Sequence, residues 1–175
     1  MATVRKIKIE DSDELRSTLD NLYENATQIV LAKWALDLVK HIFMTAGYNV
    51  NDYDAVINGF LVNEAWQNGQ ARMHDVRQAG FKIHKLAKNS DDKLLMTALR
   101  VAGQAVGTGH MREHAMVTSD YAIKLINLIY PGNQDAVKQE RLWQIRTMEL
   151  HVQRSKENEN EQNLKVIKPF AKEDR

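Results

Sequence analysis

The sequence predicts an all-α fold: a single-domain bundle of about six or seven antiparallel helices with a polar C-terminal tail. Three observations carry that expectation. Apolar residues recur at three- and four-residue spacing almost throughout. Only two prolines, Pro131 and Pro169, interrupt the 175 residues. No segment alternates apolar and polar residues as a strand would, apart from a weak pattern at Val4 to Ile9.

Each helix has its own start and stop. Asp11 or Ser12 caps a first helix to Asn25, with Leu15, Leu19, Leu22 and Tyr23 on one face. A second helix, from Thr27 to Ala46, carries Ile29, Val30, Trp34, Leu38, Val39, Ile42 and Phe43 over a broad arc. Such an arc marks a central helix. Gly47 ends it. Asn51 or Asp52 caps a third helix with Tyr53, Val56, Ile57, Phe60, Leu61 and Ala65 in register, and Gly69 stops it. A fourth spans Arg72 to Lys88 and places Met73, Val76, Gly80, Ile83 and Ala87 inward. After the Asn89-Ser90-Asp91 turn, a fifth turns Leu94, Leu95, Ala98, Leu99, Ala102 and Val106 inward, until Gly107-Thr108-Gly109 breaks it. A sixth, His110 to Tyr130, buries Met111, His114, Ala115, Thr118, Ala122, Leu125 and Ile129, and Pro131-Gly132-Asn133 ends it. A seventh, Gln134 to Ser155, carries Val137, Leu142, Ile145 and Met148. The helical domain is thus 1–155. From Lys156 the stretch SKENENEQN reads as a solvated or extended tail over 156–175, closed by the small apolar cluster Val166, Ile167, Pro169 and Phe170.

Composition excludes several functions. The hydrophobic fraction of 43% and charged fraction of 27% are those of an ordinary soluble domain. A net charge of +1 provides no field for nucleic acid or anionic lipid. The chain has no cysteine, hence no disulfide, thiol nucleophile or cysteine metal site. Its N-terminus is too charged for a signal peptide, and no apolar run nears the ~20 residues of a membrane span. Together these point to the cytoplasm, with no membrane or nucleic-acid partner; a homo-oligomer is compatible with them. There is no phosphate loop, dinucleotide fingerprint or nucleophile elbow. The basic residues of the fourth helix (Arg72, Arg77, Lys82, Lys85, Lys88) read as a solvated face.

The candidate site is polar and histidine-rich. His110 and His114 are four apart, and on one helix they would share a face behind the small residues Ala102, Gly103, Ala105, Gly107 and Gly109. His110-Met111-Arg112-Glu113-His114 matches the His-x-x-Glu-His pattern of a zinc peptidase class. That chemistry needs a third ligand, for which Glu140, Glu149 or tail acids are the sources, and an open cleft around His114. A five-residue pattern with three fixed letters occurs often by chance, so it does not make the chain an enzyme. His41, His84, His110 and His114 lie on or near inward faces, with Asp37 four before His41. They form either a metal or small-ligand site, with His110 and His114 as the zinc candidates, or a set of core histidines bonded to Asp37, Tyr121 or backbone carbonyls. Arg100 is expected to pair with Asp37, Glu64 or Asp120. Trp34 and Trp66 read as core aromatics.

Several of these segments together resemble a known family. They are AKWALDLVKHIF (Ala32 to Phe43), AWQNG (Ala65 to Gly69), HKLAK (His84 to Lys88), ALRVAGQAVGTGHMREHA (Ala98 to Ala115) and YAIKLI (Tyr121 to Ile126). In order and spacing they resemble the immunity-protein-five-like family of bacterial polymorphic toxin systems, over about Thr27 to Tyr130. One departure stands out: the family follows this histidine with Ala-Ala-Arg, whereas His84 precedes Lys-Leu-Ala-Lys. The resemblance implies a non-catalytic binding module that neutralises a cognate protein toxin and needs no cofactor. Its motif positions here are Trp34, Asp37, His41, Trp66, His84, Arg100, His110, His114 and Tyr121. The alternative is a metal- or small-ligand-binding helical protein, or a hydrolase, built on His110 and His114.

Overall fold

The computed structural model describes residues 3–167, with side chains through 163. Among the described residues the chain forms seven α-helices and one short 3-10 turn, and no strand. The helices are α1 (Asp13–Asn25), α2 (Gln28–Thr45), α3 (Asp54–Gln67), α4 (Met73–Lys88), α5 (Lys93–Gly107), α6 (His114–Ile129) and α7 (Gln134–Ile167). The 3-10 turn, Val50–Asp52, leads into α3. Local chemistry explains the starts. Ser12 accepts from the Leu15 N–H, Thr27 from Val30, and Asp92 from both Leu94 and Leu95. Each satisfies N–H groups that a helix leaves unbonded at its first turn. Gly69 and Gly132 stop helices with φ of +71° and +72°, the left-handed region that glycine enters without penalty.

As its broad apolar arc predicts, α2 is central. Leu31, Trp34, Leu38, Val39, Ile42 and Phe43 are essentially inaccessible, and the helix packs on α5, α6 and α7. The closest helix pairs are the sequence neighbours α4 with α5 and α5 with α6. The N-terminal segment forms no strand at Val4 to Ile9. Two reciprocal hydrogen bonds between Glu10 and Asn127 pin it to α6 instead.

Four expectations are corrected. First, α6 begins at His114, not His110. The chain folds back after α5 through His110 N–H and Met111 N–H, both bonded to the Gly107 carbonyl. Gly109 passes so close to Trp66 and Val76 that a Cβ would lie 3.0 Å from each. Arg112 then ties the turn to the end of α1, donating to the carbonyls of Tyr23 and Ala26. Second, the buried face of α3 is rotated: Leu61 is 61% exposed, while Gly59 and Asn63 face inward. Gly59 admits Ile83 and Val106, and the Asn63 amide donates to the Val106 carbonyl at 2.9 Å. Third, Met73, Met111 and Leu142 are at least partly exposed rather than inward, and Arg141 takes a buried place on α7. Fourth, α7 does not end at Ser155 but runs to Ile167. Bonds from Gln153 to Glu157 and from Ser155 to Glu159 support it one turn apart, and no proline intervenes before Pro169. The apolar cluster expected at Val166 to Phe170 lies outside the described side chains. No described helix is long and apolar enough to cross a membrane.

Candidate functional site

Glycines bring α4 and α5 together. A Cβ on Gly80 would lie 3.1 Å from the Gly103 carbonyl oxygen, so the two backbones nearly touch there. The space left by the missing side chains is filled by imidazoles. A Cβ on Gly103 would meet the His84 ring at 2.5 Å, and one on Gly107 would meet the His114 ring at 3.2 Å. His110, on the turn, places its ring centroid 6.0 Å from that of His114. Histidines 84, 110 and 114 therefore do come together, around a cleft also lined by Arg77, Phe81 and the three glycines. Their meeting depends on the turn and the helix pair, not on a shared helix face.

The environments of the rings differ. His114 Nδ1 lies 2.6 Å from the Gln104 side-chain oxygen, whereas His84 Nδ1 is buried with no hydrogen-bond partner. Burial first, then the charges of Arg100 and His114, hold His84 down at about 4. Burial also lowers His114, helped by His110 and Lys6 and opposed by Glu113. Both rings are thus neutral near pH 7. Arg100 is half-buried and makes no ion pair among the described residues; of the acids expected for it, Asp120 pairs with Arg16, Asp37 with His151, and Glu64 is exposed. At the mouth, the Arg77 guanidinium stands 5.2 Å from the centre of the exposed Phe81 ring.

The remaining candidates lie elsewhere. Asp37 and His41 do not pair with each other; each meets its own partner on α7. His41 Nε2 is 2.7 Å from Glu140 and its ring stacks on Trp143 at 3.8 Å. Asp37 bonds His151 at 2.9 Å and Lys40 at 3.2 Å. The His151 bond, then Lys40, lowers the Asp37 pKa against the opposing effect of burial. Trp34 is fully buried and its indole N–H donates to the Gln144 carbonyl at 3.0 Å. Trp66 backs the turn at Gly109. Tyr121 packs on the core, with the Lys124 ammonium 5.9 Å from its ring. Among the described residues the peptidase arrangement does not assemble: Glu113 is exposed, Glu149 is exposed, and Glu140 is committed to His41 and Gln144. Among the described residues no three His, Asp or Glu side chains are grouped to hold a metal ion.

Sequence reasoning missed a second polar assembly, where α1, α6 and α7 meet. Arg141, with no exposed surface, bridges Asp11 at 2.7 Å and Asp120 at 3.0 Å and also donates to Ser119 and Gln144. Arg16 pairs with Asp120 at 2.9 Å and with Asp20 at 2.5 Å. The signal was present. Arg141 sits four from both Val137 and Ile145, inside an apolar stripe, and Arg16 and Asp20 are one turn apart.

Comparison with known proteins agrees with the motif order. No curated protein and no solved structure matches the chain. The model of one family, described as "Imm-5 like putative immunity protein", matches residues 21–151. That span is wider than the motif segments; it takes in the end of α1 and the first half of α7, and hence the α7 partners of Asp37 and His41. The chain belongs to the Imm-5-like immunity protein family.

Proposed function

We propose that this protein neutralises a cognate protein toxin by binding it, without catalysis, in the cytoplasm of the cell that makes the toxin. The family match over residues 21–151 carries this reading. The state of the charged side chains supports it. The buried ion pairs of Arg16 with Asp120 and of Arg141 with Asp11 and Asp120 are spent on joining distant parts of the fold. The acid of the peptidase-like pattern, Glu113, is exposed to solvent and makes no bond to either histidine. A rigid, internally tied surface suits inhibition by covering a partner, since a preorganised interface loses less entropy on binding.

The test is co-expression with the toxin encoded beside its gene. The expected result is restored growth and a complex of the two proteins that survives gel filtration at nanomolar concentration, about 12 kcal/mol of binding free energy. Undiminished killing in the presence of the soluble, folded chain overturns the proposal.

A further inference from the structure

The cleft between α4 and α5 has properties that helix packing does not require. It encloses about 150 Å³, roughly the size of an engineered cavity that takes up benzene. Gly80, Gly103 and Gly107 line it, and the rings of His84 and His114 lie against the latter two. Its walls are the imidazoles, and its mouth is Arg77 over Phe81. A buried ring nitrogen without a partner is costly, about 1–3 kcal/mol, and the His84 Nδ1 is such an atom. A bound group removes that cost when the ring turns from Gly103 toward the cleft and completes its hydrogen bonding there.

The charges around the cleft name the kind of group. Neither Arg77 nor Arg100 meets a carboxylate among the described residues, in contrast to Arg16 and Arg141. Arg100 and His114 face His84; His110, Lys6 and the exposed Glu113 face His114. With the rings of His84 and His114 neutral, the cations Arg77, Arg100 and Lys6 against the exposed Glu113 leave a net positive field around a partly closed space, where an opposite charge is worth more than in water.

We propose that this cleft binds a small organic anion, with its carboxylate or phosphate head between the Arg77 guanidinium and the imidazoles of His84 and His114. The body of the ligand, about one ring in size, lies against the Phe81 ring at the cleft's apolar side. A guanidinium offers such a head two parallel N–H bonds, and a neutral imidazole offers one more. The site is separate from the toxin-binding reading and does not depend on it.

The full chain, titrated with sodium benzoate, inorganic phosphate and neutral benzamide, tests this by the nitrogen and proton signals of its imidazoles. Benzoate or phosphate should give saturable shifts at His84 and His114; whichever binds tighter assigns the head group. Benzamide should bind about tenfold more weakly or worse, as should benzoate to Arg77→Gln, the expected loss for a charge-assisted hydrogen bond. Lys82→Gln, exposed on the same helix but outside the cleft, should bind as the parent does. Absence of saturable shifts with both anions, equal binding of benzamide, or unchanged binding by Arg77→Gln overturns the proposal. Each of these leaves toxin neutralisation standing, so the two readings fail separately.

Discussion

Two regions of this molecule bury polar side chains, and they use them differently. Where α1, α6 and α7 meet, each buried carboxylate faces a guanidinium: Asp11 and Asp120 face Arg141, and Asp20 and Asp120 face Arg16. Along the α4–α5 seam, His84 keeps an unbonded nitrogen, Arg77 and Arg100 meet no acid among the described residues, and the chain leaves a cleft rather than closing on them. Burial of polar groups alone therefore does not mark a site. A cluster whose charges are paired joins helices; unspent hydrogen-bonding capacity beside a cavity is what a ligand can use.

The largest expected effect breaks the charge-paired cluster. Arg141→Met leaves Asp11 without its buried partner and weakens the hold on Asp120, and should cost about 3–5 kcal/mol in urea unfolding. A loss below about 1 kcal/mol would mean the network is incidental to stability. Next comes Gly103→Ala, whose Cβ would lie 2.5 Å from the His84 ring. Overpacking of this kind costs about 1–3 kcal/mol, partly offset by roughly 0.5–1 kcal/mol from better helix propensity. His84→Ala should relieve most of that cost, and a double-mutant cycle in thermal unfolding measures the relief. Additive effects would show that the seam is not set by the ring.

The smallest effect concerns pH. His84 ionises at about 4 in the folded protein against 6.5 ordinarily. Between those values the unfolded chain holds more protons, so stability falls as pH is lowered through that window and is fully retained above it. With the partial exposure of the ring discounted, the loss is roughly 1–2 kcal/mol. Urea midpoints across that pH range should show it, and His84→Gln should flatten it. Benzoate should blunt it in the parent chain alone, which ties the pH response to the cleft. A parent and a His84→Gln variant with identical pH profiles would remove His84 from this account.

The helix count, the central place of α2 and the stops at Gly69 and Gly132 were legible because they rest on local spacing and backbone preference. The site was legible only in part. His84, His110, His114 and Arg100 do lie around one seam, but Asp37, His41, Trp34 and Tyr121 face other neighbours. Sequence spacing placed His110 on α6, and the tight passage of Gly109 over Trp66 and Val76 put it on a turn instead. The end of α7 was misplaced because low apolar content reads as a solvated tail, while exposed side chains bonded one turn apart can extend a helix already anchored by Val137, Ile145 and Met148.

By itself, then, the sequence determined the helices, the family and the residue types gathered near α4 and α5. Those follow from periodicity, caps and motif order, which are properties of neighbours along the chain. Only the tertiary structure decided which buried charges would find partners. Arg141 met Asp11 across 130 positions and Arg16 met Asp120 across 104, whereas His84 met bare glycine backbone. Partnering of that kind is set by which helices touch and how closely, and no local pattern encodes it.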